Sequence, residues 1–402
     1  MEVIRRAAAV GDRVKAVGAG HSFTGVACTD GHLLDLGGYG RVLHVDRSSG
    51  QVTVEAGITL GRLNAELAVA GLALENLGDI AYQSVAGAIA TATHGTGGRF
   101  ANLSSQVVGM RLIDGQGDAI DCSAHERPEL WSPARVGVGA LGVVSTVTLQ
   151  CVPAFNLHAV EEPALVDDVL DGLDQLVDTN DHYELFWIPG TRWALTKRNR
   201  RTHEPARPRG RWTAFRNDVL IDNLGFGAVM AVGRYRPHLI PALAKRLPSA
   251  GRQEYVDRSD KVFASARMVR FVEMEYAVPR QAFGEAFNQL RTLVRQLGVP
   301  VGFPVECRFV AGDDIALSTA SGRATAYLAV HVVAGAPHDQ YFQGVERIMD
   351  DYDGRPHWGK LHYQTAATLA PRYPRWDQFQ QARELLDPNR TFTNPELERV
   401  LG

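Results

Sequence analysis

Three glycine-rich stretches crowd the first 145 residues of the chain: KAVGAGHSFTG at 15–25, ENLGDIAYQSVAGAIATATHGTGG at 75–98 and GVGALGVVS at 137–145. Glycine at that density serves backbone that must turn tightly or be closely approached by a ligand. Between the glycine turns the pattern alternates. MEVIRRAAAV reads as an amphipathic helix over 2–10 ending at Gly11, and Arg13 to Val17 as a strand entering the first turn. HLLDL, RVLHVD and QVTVEAG read as short strands, and TLGRLNAELAVAG as a helix stopped by Gly71.

The first turn opens like a dinucleotide fingerprint and then departs from it. The third glycine position of G-x-G-x-x-G is Phe23, and TGVACTDGHLLDL after it is turn and strand, not the helix whose N-terminus would hold a pyrophosphate. Successive N–H groups of a tight turn still form an anion nest, so Gly18, Ala19 and Gly20 are cradle candidates. In the second stretch Ser84, Gly87, Thr91, Thr93 and Gly95 supply backbone and hydroxyl donors. Three such stretches suggest a cofactor longer than one phosphate.

At 402 residues two domains are expected. With 45% apolar residues and a net charge of -3, the chain is globular, and nucleic acid is not expected as a partner. The run KRNRRTHEPARPRGR at 197–211, broken by proline and glycine, reads as a solvated loop first and an anion patch second. Cys28, Cys122, Cys151 and Cys307 have neither CxxC nor metal-ligand spacing, so no metal is expected and the reading is a reduced, cytoplasmic protein. No stretch approaches a membrane span, and no signal-peptide pattern opens the chain.

From about residue 152 the texture changes. ALVDDVLDGLDQLVD reads as a helix, YELFWIP as a strand and 190–225 as irregular. FVEMEYAVP, PVECRFVA and TAYLAVHVV follow as strands around the helix QAFGEAFNQLRTLVRQLG, which suits an antiparallel sheet with helices on one face. The fold class is α+β, with one domain over 1–154, a second over 155–355, and a segment 356–402 returning to the first.

GAGHSFTG, then NLGD with SVAGAIATATHGTG, then GVGALGVVS, and finally PHWGK occur in this order along nearly the whole chain, and together they resemble the FAD-linked oxidases of the vanillyl-alcohol oxidase type. The branch most similar is the aldonolactone oxidases and dehydrogenases, with alditol oxidase alongside. The resemblance implies a two-domain FAD-linked oxidase fold. Its substrate would be a small sugar lactone or polyol, oxidised by hydride transfer to flavin N5. Electrons would pass on to O2 or another acceptor, and the product would be ascorbate-like. An alditol or sugar oxidase making H2O2, or a flavin-binding protein without catalysis, are the alternatives.

The same resemblance implies roles by position. His21 would hold FAD covalently, a reaction that needs a neutral imidazole. Ser22, Phe23, Gly78, Asp79, Ala88, His94, Gly142, Val144 and His357 would join the glycine-turn residues around the cofactor. Glycine at position 78 would leave room for O2, and Asp79, where alditol oxidase has serine, favours a lactone ring. Glu306 and Arg308, two apart on a strand and so on one face, match the family's Glu-x-Arg pair. Lys360 would place an ammonium by flavin and substrate, and His331 is a weaker candidate. Trp358 would wall the pocket beside His357, and Glu275–Tyr276 match the family's E-Y. Family members carry a further stretch with a strand ahead of MEVIRRAAAV, which implies a missing N-terminal strand or a chain that continues upstream.

Overall fold

The computed structural model describes residues 1–210, 251–264, 269–297 and 301–402. The first helix spans Glu2–Val10 and ends at Gly11, whose φ of 78° provides the left-handed cap. Strand Val14–Val17 then pairs in parallel with His32–Asp35. A five-stranded antiparallel sheet follows in the order Val42–Asp46, Gln51–Glu55, Val143–Gln150, Val107–Ile113, Ala119–Ser123. Helix Leu60–Ala70 buries Leu60, Leu63 and Leu67 in the first apolar core, with Thr59 capping its start and Gly71 its end.

The second sheet has eight strands, with Gln253–Arg258 at one edge and Arg355–Pro356 at the other. At its centre His182–Trp187, Val305–Val310, Thr325–Val333 and Phe271–Pro279 are neighbours in antiparallel register. Period-two alternation divides their side chains between two faces. Leu185, Cys307, Leu328 and Met274 point into a second apolar core. Helices Phe283–Gln296 and Asp339–Asp350 cover it, burying Phe287, Leu290 and Val294, and Phe342, Val345 and Met349. The opposite face carries Glu184 opposite Arg308, Glu306 and Glu275 on either side of Ala329, and Glu273 opposite His331.

Two readings of the sequence need correction here. The span ALVDDVLDGLDQLVD forms two short helices, Val166–Asp171 and Leu173–Thr179, because Gly172 interrupts the helical backbone. The stretch from 190 onward contains a ten-residue strand, Trp193–Thr202, and 211–225 lie outside the described residues. The arginines of that strand are paired, not loosely solvated. Arg198 binds Glu162, Arg200 Nε donates to Asn180 Oδ1 at 2.9 Å, and Arg201 stacks over Phe155 with its carbon 4.3 Å from the ring centre.

The last 30 residues pack into the first core, through Tyr373, Phe379, Leu386, Leu397 and Val400. Asn394 caps helix Pro395–Leu401 by accepting from Leu397 N at 2.8 Å, and its amide nitrogen donates to the carbonyls of Gly25 and Cys28 at 2.9 and 2.8 Å. The tail thereby braces the loop that carries His21. Among the described residues no helix is long and apolar enough to cross a membrane.

Candidate active site

A cavity of about 580 Å³ lies where the glycine loops meet the polar face of the second sheet. Its volume falls within the roughly 300–1,000 Å³ usual for small-molecule and cofactor sites. The first and second glycine stretches touch: a Cβ on Gly18 would stand 1.9 Å from Ser84 Oγ, so only glycine fits there. Gly20 has φ 68°, the left-handed region that turns the chain toward His21. The His21 ring stacks on Tyr82 at 6.2 Å, and partial burial holds the imidazole below its ordinary value, which favours the neutral form.

Lys360 reaches the site along the edge of strand Phe271–Pro279. His357 N and Leu361 N donate to the carbonyls of Glu275 and Glu273 at 3.0 and 2.9 Å, which lays the HWGK turn across those two residues. Lys360 Nζ then donates to Glu273 Oε1 at 2.6 Å and Glu275 Oε2 at 2.8 Å. Burial opposes ionisation of all three groups, but mutual attraction outweighs it. Glu273 falls to about 2, Glu275 lies well below the carboxylate range, and Lys360 is raised. Glu273 also meets His331 Nε2 at 3.1 Å, and Glu275 meets His94 Nε2 at 3.3 Å. The turn is fixed to the His21 loop as well, since Phe23 N donates to Gly359 O at 2.7 Å.

Arg308 gathers a second set of carboxylates. It pairs with Glu306, with Glu184 Oε2 at 3.0 Å and with Asp79 Oδ1 at 3.4 Å. Burial would lower the guanidinium, but Glu306, Asp79 and Glu184 raise it well above its usual value, so it stays charged. Burial and then the charge of Lys360 push His357 down to about 3, and its Nδ1 accepts from Gly359 N at 3.1 Å. His357 is therefore a neutral imidazole.

The residues singled out in the sequence distribute as follows. Gly18 to Phe23, Gly78, Asp79, Ser84, Gly87, Thr91, Thr93, His94, Glu306, Arg308, His331, His357 and Lys360 all line the cavity. Ala88 packs in the first core, and Gly95 lies under Leu77, where a Cβ would meet the carbonyl oxygen at 2.4 Å. Gly142 and Val144 line a separate cavity of about 80 Å³ that Gly18 and Gly87 also border. Trp358 turns away from the site: its Nε1 donates to Leu317 O at 2.7 Å and its ring stacks on Tyr373. Tyr276, on the opposite strand face, donates its hydroxyl to Glu346.

Sequence reasoning missed Glu273, Glu184, Phe271 and Lys15. Glu273 stands two residues before Glu275 in FVEMEYAVP, so alternation alone carried its signal. Lys15 is buried beside the cavity, donating to the carbonyls of Gly139 and Phe392 at 2.9 and 3.1 Å. Glu273, Glu306 and His331 have ligand atoms within 4.8 Å of one another, a metal-like spacing, but Lys360 and Arg308 already neutralise the two carboxylates.

Comparison with known proteins is consistent along the whole chain. Residues 1–123 match a family model described as FAD binding domain, and residues 147–400 match D-arabinono-1,4-lactone oxidase. The L-gulono-1,4-lactone dehydrogenase of Mycobacterium tuberculosis is 48% identical over 402 residues, covering 100% of this chain and 93% of that protein. The L-gulonolactone oxidase of Bos taurus is 34% identical over 407 residues, covering 99% and 92%. Among solved structures, cholesterol oxidase from B. sterolicum superposes with a TM-score of 0.80 at 18% identity, covering 100% of this chain and 92% of the other, a likeness of fold alone.

Proposed function

The chain belongs to the D-arabinono-1,4-lactone oxidase family, and from that premise we propose that it is an FAD-dependent oxidoreductase acting on an aldonolactone of the L-gulono-1,4-lactone or D-arabinono-1,4-lactone type. The observation that carries the reading is one cavity holding both the glycine loops with His21 and the Glu306–Arg308–Lys360 cluster. FAD, when bound, supplies the acceptor for the two electrons removed from the alcohol carbon. The residues fit it: at Gly20, which lines the cavity, an added Cβ would meet no protein atom within 4 Å, so bare backbone faces that space, and Lys360 brings a permanent cation to the same cavity.

The protein's part is to bind, orient and move one proton. Arg308 and Asp79 offer a donor and an acceptor for ring hydroxyls, and Glu306 is the carboxylate we assign to take the hydroxyl proton. The division of labour we propose, an FAD domain over 1–154, a substrate domain over 155–355 and a returning segment over 356–402, is supported by the two apolar cores. A cytoplasmic, ascorbate-forming role is part of the same reading. An anaerobic screen that watches flavin bleaching tests it: lactones are expected to bleach faster than xylitol or sorbitol. Preference for the alditols would move the protein to the polyol oxidases, and no bleaching by either class would end the proposal.

The covalent link through His21 is supported by the neutral imidazole at the mouth of the cavity. Acid precipitation is expected to leave the yellow colour with the chain, and a yellow supernatant would show FAD to be held without a bond. Gly78 governs a second expectation. A methyl there would stand 3.1 Å from the His94 carbonyl oxygen and 3.4 Å from Thr93 Cγ2, space that is tight but not closed. Gly78→Ala is expected to slow reoxidation by O2 about tenfold or more, about 1.4 kcal/mol on that barrier, while an artificial acceptor is reduced at the original rate. Equal rates with both acceptors in the variant and the parent would remove the oxygen-gating role.

A further inference from the structure

Five side chains, all buried except the partly exposed Lys360, form one line across the cavity wall: His331, Glu273, Lys360, Glu275 and His94, joined by contacts of 3.1, 2.6, 2.8 and 3.3 Å. Both ends are anchored to backbone. His331 Nδ1 lies 3.3 Å from Pro304 O and His94 Nδ1 lies 2.9 Å from Gly95 O. Each histidine thus has an oxygen beside both ring nitrogens, so neither nitrogen is turned toward open cavity space. The centre of the line is an ammonium.

That ammonium has three N–H bonds in tetrahedral arrangement. Glu273 and Glu275 take two, and two fixed bonds determine where the third points. We propose that Glu273 is a positioning residue: its carboxylate, shared between Lys360 and His331, fixes the direction of the remaining Lys360 N–H into the cavity. Glu275 reaches across to His94 on a loop of the first domain, whereas Glu273 is bonded within its own sheet, so the two carboxylates are not equivalent. Without Glu273 the ammonium is held at one point and turns freely about it. The inference rests on the function proposed above only for its kinetic readout.

The electrostatics give a readout that a merely structural residue would not move. Burial opposes the Lys360 charge, and Glu273 is the first of the two carboxylates that overcome it. A lysine raised in this way contributes stability that is fully present below its unfolded value of 10.5 and is lost as pH rises through its folded value. With Glu273 removed the folded value drops, so that stability shrinks and the buried ammonium gives up its proton at lower pH than in the parent.

Glu273→Gln, flavin-loaded, tests the proposal. Its single amide oxygen accepts from Lys360 or His331 but carries no charge. Anaerobic bleaching by L-gulono-1,4-lactone is expected to slow about 30-fold or more, with the half-saturating concentration changed less than about threefold, the pattern of an interaction made mainly in the transition state. The alkaline fall in bleaching rate is expected to move to lower pH than in the parent, and the melting-temperature deficit against the parent, largest where Lys360 is charged in both proteins, is expected to narrow as pH rises through that fall. Glu273→Asp keeps the charge and is expected to recover the pH profile but only part of the rate. A Glu273→Gln protein with parental bleaching rate and unshifted pH profiles overturns the proposal. If the glutamine variant does not fold, an Asp variant with the parental rate overturns it equally. Should no lactone bleach the parent, the function fails, and melting against pH still decides the role of Glu273.

Discussion

Lys360→Met is expected to cut lactone-driven flavin bleaching by about 10²–10³-fold, the range found when one preorganised electrostatic contact to a developing charge is removed. The side chain is only 16% exposed and touches two carboxylates at 2.6 and 2.8 Å, so methionine preserves the volume while deleting the charge that balances both. The loss is structural as well. Taking away one partner of a buried ion pair costs about 3–5 kcal/mol, because the remaining charge is left in a site it cannot tolerate. The variant has a distinctive pH signature. Burial acts to raise Glu273 and Glu275, and without the ammonium that tendency is no longer overcome. One carboxyl then takes up a proton in the folded state above its unfolded value of 4.5. The stability deficit against the parent should therefore be largest near neutral pH and shrink as pH falls toward about 5, which melting curves at a series of pH values would show. A deficit that grows on acidification would mean that the pair stays ionised without Lys360, and the electrostatic account of the site would fall.

Much of this site was legible because its two halves are written in different codes. The glycine loops and the HSF and HWGK runs are contiguous, so their meaning survives in a single stretch of residues. The sheet face that lines the cavity is not contiguous. Glu306 and Arg308 stand out through the match of ECR to the Glu-x-Arg pair of the family the sequence resembles, but Glu184 and Glu273 join them only through register with other strands. A lone glutamate in YELFWIP or FVEMEYAVP is indistinguishable, in one sequence, from a solvated edge residue. The arginine strand Trp193–Thr202 was misread for the same reason: Glu162, Asn180 and Glu184, which pair with it, arrive from elsewhere in the chain. Trp358 shows the complementary limit. Its neighbours His357 and Lys360 face the cavity, but which way an indole turns depends on where Leu317 O and Tyr373 lie, and no local pattern reports that.

Glu306→Gln is expected to slow bleaching by about 10²–10⁴-fold, the usual contribution of a positioned general base. The assignment follows by elimination among the groups around the cavity. Lys360 is held as an ammonium, both nitrogens of His331 and of His94 face oxygen acceptors, and His357 is pushed down to about 3 and accepts from Gly359 N. Of the carboxylates, Glu273 and Glu275 are committed to Lys360, and Glu184 does not line the cavity. Glu306 and Asp79 remain, both beside Arg308. Glu306 lies in the sheet row that passes through Ala329 to Glu275, which places it toward the Lys360 cluster, whereas Asp79 approaches Arg308 from the glycine-loop side. A substrate carbon presented between Lys360 and Arg308 therefore meets Glu306 first. Asp79→Asn should raise the half-saturating lactone concentration with a rate loss under about tenfold, because a residue that binds substrate and transition state alike changes affinity more than turnover. Both variants leave Arg308 with two carboxylate partners, so both should fold and take up flavin. If Asp79→Asn loses the larger part of the rate and Glu306→Gln does not, the proton goes to the loop carboxylate, and the sheet holds the substrate without reacting with it.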